Sequence, residues 1–150
     1  MGTLEIANFI REDLVIEIHA GDRDEALGAL MGAVESAHLL DDAALFYEKI
    51  LEREKQSSTA IGLGVAIPHA RFESLKGMFI AVGRSTNGID FNAPDGATVH
   101  LICMIGATSD HAQYLKLVAR ISWLVRNDEL RDQLFQAPSI EDVYALLSRY

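Results

Sequence analysis

The spacing of apolar residues changes along the chain, and each spacing predicts a different element. A β-branched cluster at 14–18 (LVIEI), followed by the turn signal AGD, predicts a strand. From Asp22 onward, apolar residues recur every three or four positions behind an acidic first turn, which predicts a helix. Capping residues at 41–42 and a further apolar repeat predict a second helix that ends near residues 53–54. A short apolar run at 65–67 predicts a further buried strand.

A second group of predicted strands lies in the middle of the chain. The segments GMFIAVGR (77–84) and TVHLICMIG (98–106) are strongly apolar. Between them, the turn signals Asn87-Gly88 and Asp95-Gly96 flank the short segment IDF. Strands that are joined by such short turns are expected to pair in the antiparallel direction.

Two helices are predicted after these strands. The first begins at Ser109 or Asp110 and is amphipathic, and the second covers 140–150 after Pro138. Helices on both sides of the strand region predict an α/β fold in which a mixed central β-sheet is flanked by helices on both faces. Because no repeat, low-complexity tract or linker interrupts the chain, we expect a single domain over 1–150.

Composition and charge exclude several classes of function. The chain has 150 residues and a formal net charge of −9, with no basic cluster, which argues against a nucleic-acid partner. No apolar stretch approaches the roughly 18 residues that a membrane helix needs, so no membrane insertion is expected. The N-terminus fits no secretory signal, and the single cysteine, Cys103, excludes an internal disulfide framework. These features predict a cytoplasmic protein.

The segment 56–71 carries the strongest candidate for chemistry. A proline fixes its own φ and biases the preceding residue to an extended conformation, so Pro68 helps to orient His69 at the end of a buried strand run. His69 is therefore a candidate nucleophile or ligand, although a structural role is the alternative. Gly62 and Gly64 are not followed by the Lys-Ser/Thr pair of a P-loop, which argues against nucleotide binding by that route.

Other polar residues are placed to assist His69. His111 follows Asp110 in the first turn of a predicted helix, where unpaired backbone amides attract an anion. Arg53 and Arg71 flank the motif and carry guanidinium groups, which bind phosphate as a bidentate fork. Ser58 and Thr59 offer hydroxyl donors, with turn capping as the alternative role. The remaining histidines lack such a context and are expected to be structural: His19, His38 and His100.

Two long segments resemble a known family. The segment 53–71, REKQSSTAIGLGVAIPHAR, resembles the R-E-x-x-G-S-T-G-I-G-N-G-I-A-I-P-H stretch of the bacterial phosphotransferase-system enzyme IIA family, in its fructose, mannitol and nitrogen-regulatory type. The segment 91–121 resembles that family's F-D-A-x-D-x-x-P-V segment, with its strand and the helix opened by a second histidine. With the tail at 130–147, the resemblance spans nearly the whole chain, which is expected to be one type-2 enzyme IIA domain.

The resemblance implies a role for each matching residue. His69 is the phosphorylated nucleophile, His111 is the second active-site histidine, and Arg53 steadies the phosphoryl group. Ser58 and Thr59 are candidate phosphate-binding residues. No cofactor is implied. A metal site at the two histidines is a remote alternative, since it needs a third ligand that the motif does not supply.

The resemblance also implies partners. A phosphotransferase of this family is expected to take its phosphoryl group from an HPr-like phosphocarrier. It is then expected to pass the group to an enzyme IIB or to use it to control regulatory protein targets. A chain made of this one domain favours the nitrogen-type regulatory role over a fructose/mannitol-type permease component. A non-catalytic docking regulator is the third alternative. The chain departs from the family motif at three positions: Ser57 and Ala60 replace glycines, and Leu63 replaces an asparagine. Leu63 and Phe72 are candidate docking residues near His69.

Overall fold

A mixed β-sheet forms the centre of the protein in the computed structural model, which describes residues 4–73, 75 and 77–150. Within these residues, a 3-10 turn at Ile6–Asn8 precedes six strands and five helices: β1 (Ile10–Glu17), α1 (Arg23–Ser36), α2 (Ala43–Gln56), β2 (Ala60–Gly62), β3 (Val65–Ala66), β4 (His69–Arg71), β5 (Phe79–Ile89), β6 (Val99–Ala107), α3 (His111–Leu124), α4 (Asp128–Gln136) and α5 (Ile140–Leu147). The strand order is β1-β5-β6-β3-β2, and β4 also pairs with β6. The pairs β1–β5, β3–β6 and β4–β6 are parallel, whereas β5–β6 and β2–β3 are antiparallel.

The sheet separates two apolar layers because successive side chains of a strand point to opposite faces. In β5, Ile80 and Val82 pack into the layer that holds α3, α4 and α5. Ala81 lies between them in sequence and packs into the other layer, which holds α1 and α2. The predicted α/β architecture, a mixed sheet with helices on both faces, is confirmed.

Each helix begins at a polar residue whose side chain accepts a hydrogen bond from a backbone N–H three residues later. These caps are Asp22, Asp42, Asp110, Asn127 and Ser139. A cap of this kind stabilises a helix by about 1 kcal/mol. The caps Asp22, Asp42 and Asp110 also mark the helix starts predicted from the sequence, whereas α4, which is short and largely polar, is not predicted.

One predicted turn is wrong. The chain does not reverse at Asn87-Gly88, because β5 runs on through both residues to Ile89. Gly88 has a φ of +87° and lies where the pairing of β5 with β6 shifts register, so the turn signal marks an irregularity inside a strand. The reversal occurs at Asp95-Gly96, the second predicted turn, where the Gly96 N–H donates to the Ala93 carbonyl oxygen over 3.0 Å. The predicted antiparallel pairing of the two strands is confirmed.

The segment that carries the candidate motif runs along β6 in two steps. Val65 pairs with Leu101, and His69 pairs with Ile105. Between them, the Pro68 carbonyl oxygen accepts a hydrogen bond from the Ile105 N–H over 2.9 Å. Because β4 and β6 are parallel, their carboxyl ends meet at one edge, where β6 leads into α3.

None of the helices in the described ranges combines the length and apolar character needed to cross a membrane.

Candidate active site

His69 is the first residue of β4, and its ring is half-buried at the carboxyl end of the sheet. Its Nδ1 lies 2.8 Å from the Ile67 carbonyl oxygen. A carbonyl oxygen can only accept a hydrogen bond, so Nδ1 carries the proton and Nε2 keeps its lone pair. The imidazole is therefore held in the tautomer that a nucleophile at Nε2 requires.

The surroundings of His69 favour its neutral form. Burial lowers the pKa of His69 below its ordinary value, and the nearby charge of Arg53 lowers it further. The hydrogen bond to Ile67 and the charge of Glu54 act in the opposite direction without reversing the shift. At neutral pH the ring is uncharged and able to attack.

Arg53 and Glu54 come from the last turn of α2 and have different surroundings. The Arg53 Nη1 donates to the Ser57 carbonyl oxygen over 2.9 Å, and its charge reaches both His69 and Tyr114. Glu54 is only 2% exposed, and one carboxylate oxygen accepts the Thr59 N–H over 2.8 Å. The other oxygen accepts the Thr59 hydroxyl. Glu54 therefore ties the chain after α2 to the helix end.

The hydroxyls of Ser58 and Thr59 have protein partners. Ser58 Oγ donates to the Phe91 carbonyl oxygen over 2.6 Å and accepts the Ala60 N–H over 3.1 Å. The Thr59 hydroxyl donates to Glu54. Each bond would have to break before either hydroxyl could donate to a phosphoryl oxygen, so phosphate binding by these residues stays a prediction.

His111 is exposed at the first position of α3, as the sequence predicts. Its Nδ1 lies 3.5 Å from Nη1 of Arg71, at the outer limit of a hydrogen bond. A guanidinium only donates, so His111 Nδ1 is the acceptor in this contact. Arg71, the second arginine beside the motif, is thereby joined to the same site.

The Tyr114 ring lies close to both histidine rings. Its ring centroid is 5.4 Å from that of His69 and 5.9 Å from that of His111. In the sequence, Tyr114 belongs to the apolar face of the predicted amphipathic helix, which gives it no functional role. Its position three residues after His111 was the available signal, because residues at that spacing share one helix face.

Of the two docking residues that the sequence predicts near His69, Phe72 is wrong and Leu63 stays a prediction. Phe72 is 7% exposed, and its ring packs against the ring of Phe46, 6.0 Å away, so it belongs to the core. Leu63 is exposed but precedes β3, at the opposite end of the sheet from His69. Val65 pairs with Leu101 and His69 pairs with Ile105, so the two residues are separated by four residues of β6, or roughly 13 Å along the strand.

His100 has the structural role that the sequence predicts. Its Nδ1 lies 2.8 Å from the Ser85 carbonyl oxygen, and its Nε2 is 3.2 Å from the Thr98 hydroxyl.

Cys103 is free and buried, and burial raises the pKa of its thiol to about 12, which makes it unreactive.

The arrangement suits the transfer of an anionic group to nitrogen. The neutral imidazole of His69 feels the charge of Arg53 and packs near Tyr114 of α3, while Arg71 contacts His111 at the start of that helix. Among the residues that the structure describes, no group of three or more His, Cys, Asp or Glu side chains is placed to hold a metal ion. These residues suit nucleophilic attack by His69 Nε2 on a group that carries negative charge, with electrostatic stabilisation from the neighbouring cations.

Comparison with known proteins gives a consistent result. The family model described as "Phosphoenolpyruvate-dependent sugar phosphotransferase system, EIIA 2" matches residues 8–150. The chain is 31% identical to a nitrogen regulatory protein of Bradyrhizobium diazoefficiens over 141 residues, which cover 91% of this chain and 90% of that protein. It is 33% identical to a fructose-specific EIIABC component of Bacillus subtilis over 93% of this chain but only 22% of that protein.

The fold comparison agrees with these relatives. The crystal structure of the nitrogen regulatory protein IIA-Ntr of Neisseria meningitidis matches with a TM-score of 0.86 at 26% identity, covering 95% of this chain and 98% of that chain. Proteins of this family are phosphotransferases that work through a phosphohistidine. The family match over 143 of the 150 residues and the shared fold lead to one conclusion: the chain belongs to the type-2 enzyme IIA family of the phosphoenolpyruvate-dependent sugar phosphotransferase system.

Proposed function

We propose that Nε2 of His69 accepts a phosphoryl group from a phosphohistidine on an HPr-like carrier protein. The observation that carries this proposal is the bond from His69 Nδ1 to the Ile67 carbonyl oxygen, which leaves the lone pair on Nε2. In the transfer, a bond forms between Nε2 and phosphorus while the bond from phosphorus to the donor nitrogen breaks. The bonding electrons return to the donor ring, and no net proton transfer is needed because His69 Nδ1 keeps its proton.

The neighbouring residues stabilise this transfer. Its transition state spreads negative charge over the three equatorial oxygens, so positioned cations and donors supply most of the catalysis. Arg53 and His111 are the proposed catalytic partners, and Arg71 adds a second guanidinium beside His111. Ser58 and Thr59 are the proposed phosphate-binding residues, and their hydroxyls must exchange their bonds to Phe91 and Glu54 for bonds to the phosphoryl oxygens.

For the biological role, we favour the nitrogen-type regulatory enzyme IIA. The similarity to the Bradyrhizobium nitrogen regulatory protein extends over nine-tenths of both chains, and the Neisseria IIA-Ntr structure has the same fold. Delivery to enzyme IIB in a fructose/mannitol-type permease is the second candidate, supported by the similarity to the fructose-specific EIIABC component. In either role the proposed partners are proteins, and the proposed location is the cytoplasm, which the unpaired Cys103 supports.

Intact-protein mass spectrometry tests the chemistry directly. The wild type is incubated with phosphoenolpyruvate, enzyme I and an HPr-type carrier, beside His69→Ala and His111→Ala. His19→Ala is the matched control, because His19 is exposed and lies outside the site. We expect one acid-labile phosphoryl group on the wild type and on His19→Ala, none on His69→Ala, and slower labelling of His111→Ala. A wild type that stays unmodified with every carrier would leave only the docking regulator.

A second step separates the two roles. Phosphorylated protein is mixed with a purified fructose-type enzyme IIB, and loss of the label from His69 is followed. Retention of the label over many minutes supports the regulatory role, whereas rapid transfer to enzyme IIB supports the permease role.

A further inference from the structure

One aromatic ring packs near both of the proposed active-site histidines. The Tyr114 ring is tilted by 47° to the His69 ring and by 45° to the His111 ring, at centroid distances of 5.4 and 5.9 Å. Both separations and tilts fall within the range of favourable aromatic contacts. The two imidazoles come from different elements, β4 and α3, and Tyr114 bridges them.

Tyr114 is itself held in place. It is partly buried against the apolar cluster beneath α3, which includes Leu117 and Ile121. Its helix starts at Asp110, whose carboxylate accepts the Gln113 N–H over 3.1 Å. This packing and the helix cap hold the Tyr114 ring in position against both histidines.

The ring of Tyr114, rather than its hydroxyl, makes these contacts. In the described part of the chain, no hydrogen bond to the Tyr114 hydroxyl is found. Burial raises the pKa of that hydroxyl, and the charges of Arg53 and Arg71 oppose the increase. The phenol thus lies in the field of the two arginines that surround the site and stays protonated at neutral pH.

We propose that Tyr114 is a positioning residue for phosphoryl transfer, whose aromatic ring fixes the orientation and spacing of the His69 and His111 imidazoles. His69 Nε2 must point at the incoming phosphorus, and a displacement of about 1 Å from a reactive geometry costs roughly a hundredfold in rate. The bond from Nδ1 to Ile67 fixes the ring at one point only. The Tyr114 contact restricts the rotation that this single bond allows.

This inference rests on the proposed function, and three variants test it. Tyr114→Phe keeps the ring, Tyr114→Leu keeps much of the apolar volume, and Tyr114→Ala removes both. Single-turnover transfer from the phosphorylated carrier is measured against carrier concentration for each variant. We expect Tyr114→Phe to transfer within about twofold of wild type, and Tyr114→Leu and Tyr114→Ala to fall by roughly tenfold to a hundredfold in maximal rate. The half-saturating carrier concentration should stay unchanged.

Two further readouts distinguish positioning from loss of fold. Thermal unfolding shows which variants are folded, and Tyr114→Leu keeps the test available if Tyr114→Ala is not. The pKa of His69, followed by NMR, should rise towards its ordinary value in Tyr114→Ala, because the ring contributes to the burial of the imidazole. A structural role elsewhere in α3 would leave that pKa unchanged.

Each contrary result has a distinct meaning. If Tyr114→Phe loses as much rate as Tyr114→Leu, the hydroxyl is the active part and the positioning proposal is wrong. If only the half-saturating concentration changes, Tyr114 is a docking contact and the proposal is again wrong. A wild type that never accepts a phosphoryl group rejects the function itself, whereas a labelled wild type with a fully active Tyr114→Leu rejects only the role of Tyr114.

Discussion

The buried carboxylate of Glu54 should be essential to the stability of the site region. Glu54 and Thr59 are 2% and 6% exposed, and the carboxylate accepts both the N–H and the hydroxyl of Thr59. Leaving a buried donor unsatisfied costs about 1–3 kcal/mol, so Glu54→Ala, which leaves two donors unsatisfied, should cost about 2–6 kcal/mol. Thr59→Val removes only the hydroxyl bond and should cost about 1–2 kcal/mol.

Urea unfolding followed by circular dichroism measures these losses as changes in midpoint at constant slope. Fluorescence is a poor probe here, because the single tryptophan, Trp123, is already 66% exposed in the folded protein. Glu52→Ala is the matched control, since Glu52 is exposed on the same helix and its loss should change stability by less than about 0.5 kcal/mol.

A double-mutant cycle gives the sharpest test of this reasoning. Because the hydroxyl bond can be lost only once, Glu54→Ala combined with Thr59→Val should be less destabilised than the sum of the single variants, by about 1 kcal/mol. Additive losses, or a Glu54→Ala as stable as Glu52→Ala, would show that the carboxylate does not anchor Thr59.

Four more outcomes follow from the geometry. The pKa of His69 is lower in the folded state than in the unfolded state, so the unfolded chain binds the proton first as pH falls below roughly 6.5. The free energy of unfolding measured in urea should therefore decrease below that pH, and His69 should make it no smaller above that pH. Arg53→Gln removes a charge that lowers this pKa, so an NMR titration should show the pKa of His69 rising. Leu63 has a φ of +61°, and Leu63→Gly should raise the urea midpoint by an amount equivalent to about 0.5–1 kcal/mol. Gly106→Ala would place a Cβ 2.1 Å from a ring carbon of Phe79, and calorimetry should show a loss of about 1–3 kcal/mol in the free energy of unfolding.

The parts of the fold that local chemistry determines could be predicted from the sequence. The Asp22, Asp42 and Asp110 caps act within three residues of themselves, so the helix starts are visible in the chain. The Asn87-Gly88 signal failed because a hairpin turn and a strand irregularity both need a glycine at positive φ. Only the partner strand β6 decides between the two.

The same distinction applies to the candidate site. His69 and His111 carry local signals, a preceding proline and a helix cap, and the structure places Tyr114 against both. The partner of Ser58 is a carbonyl 33 residues away, at Phe91, which no local pattern reveals. Leu63 is six residues from His69 in sequence, but an extended chain turns that short separation into a long distance.

The candidate site draws its residues from both sides of the sheet. Arg53 belongs to α2, which packs on one face, whereas His111 and Tyr114 belong to α3, which packs on the other. His69 lies between them on β4. A partly unfolded molecule that keeps only one helix layer therefore retains only part of the constellation. We therefore expect the proposed phosphoryl acceptance to be lost on heating as soon as either helix layer unfolds, at or below the temperature of global unfolding.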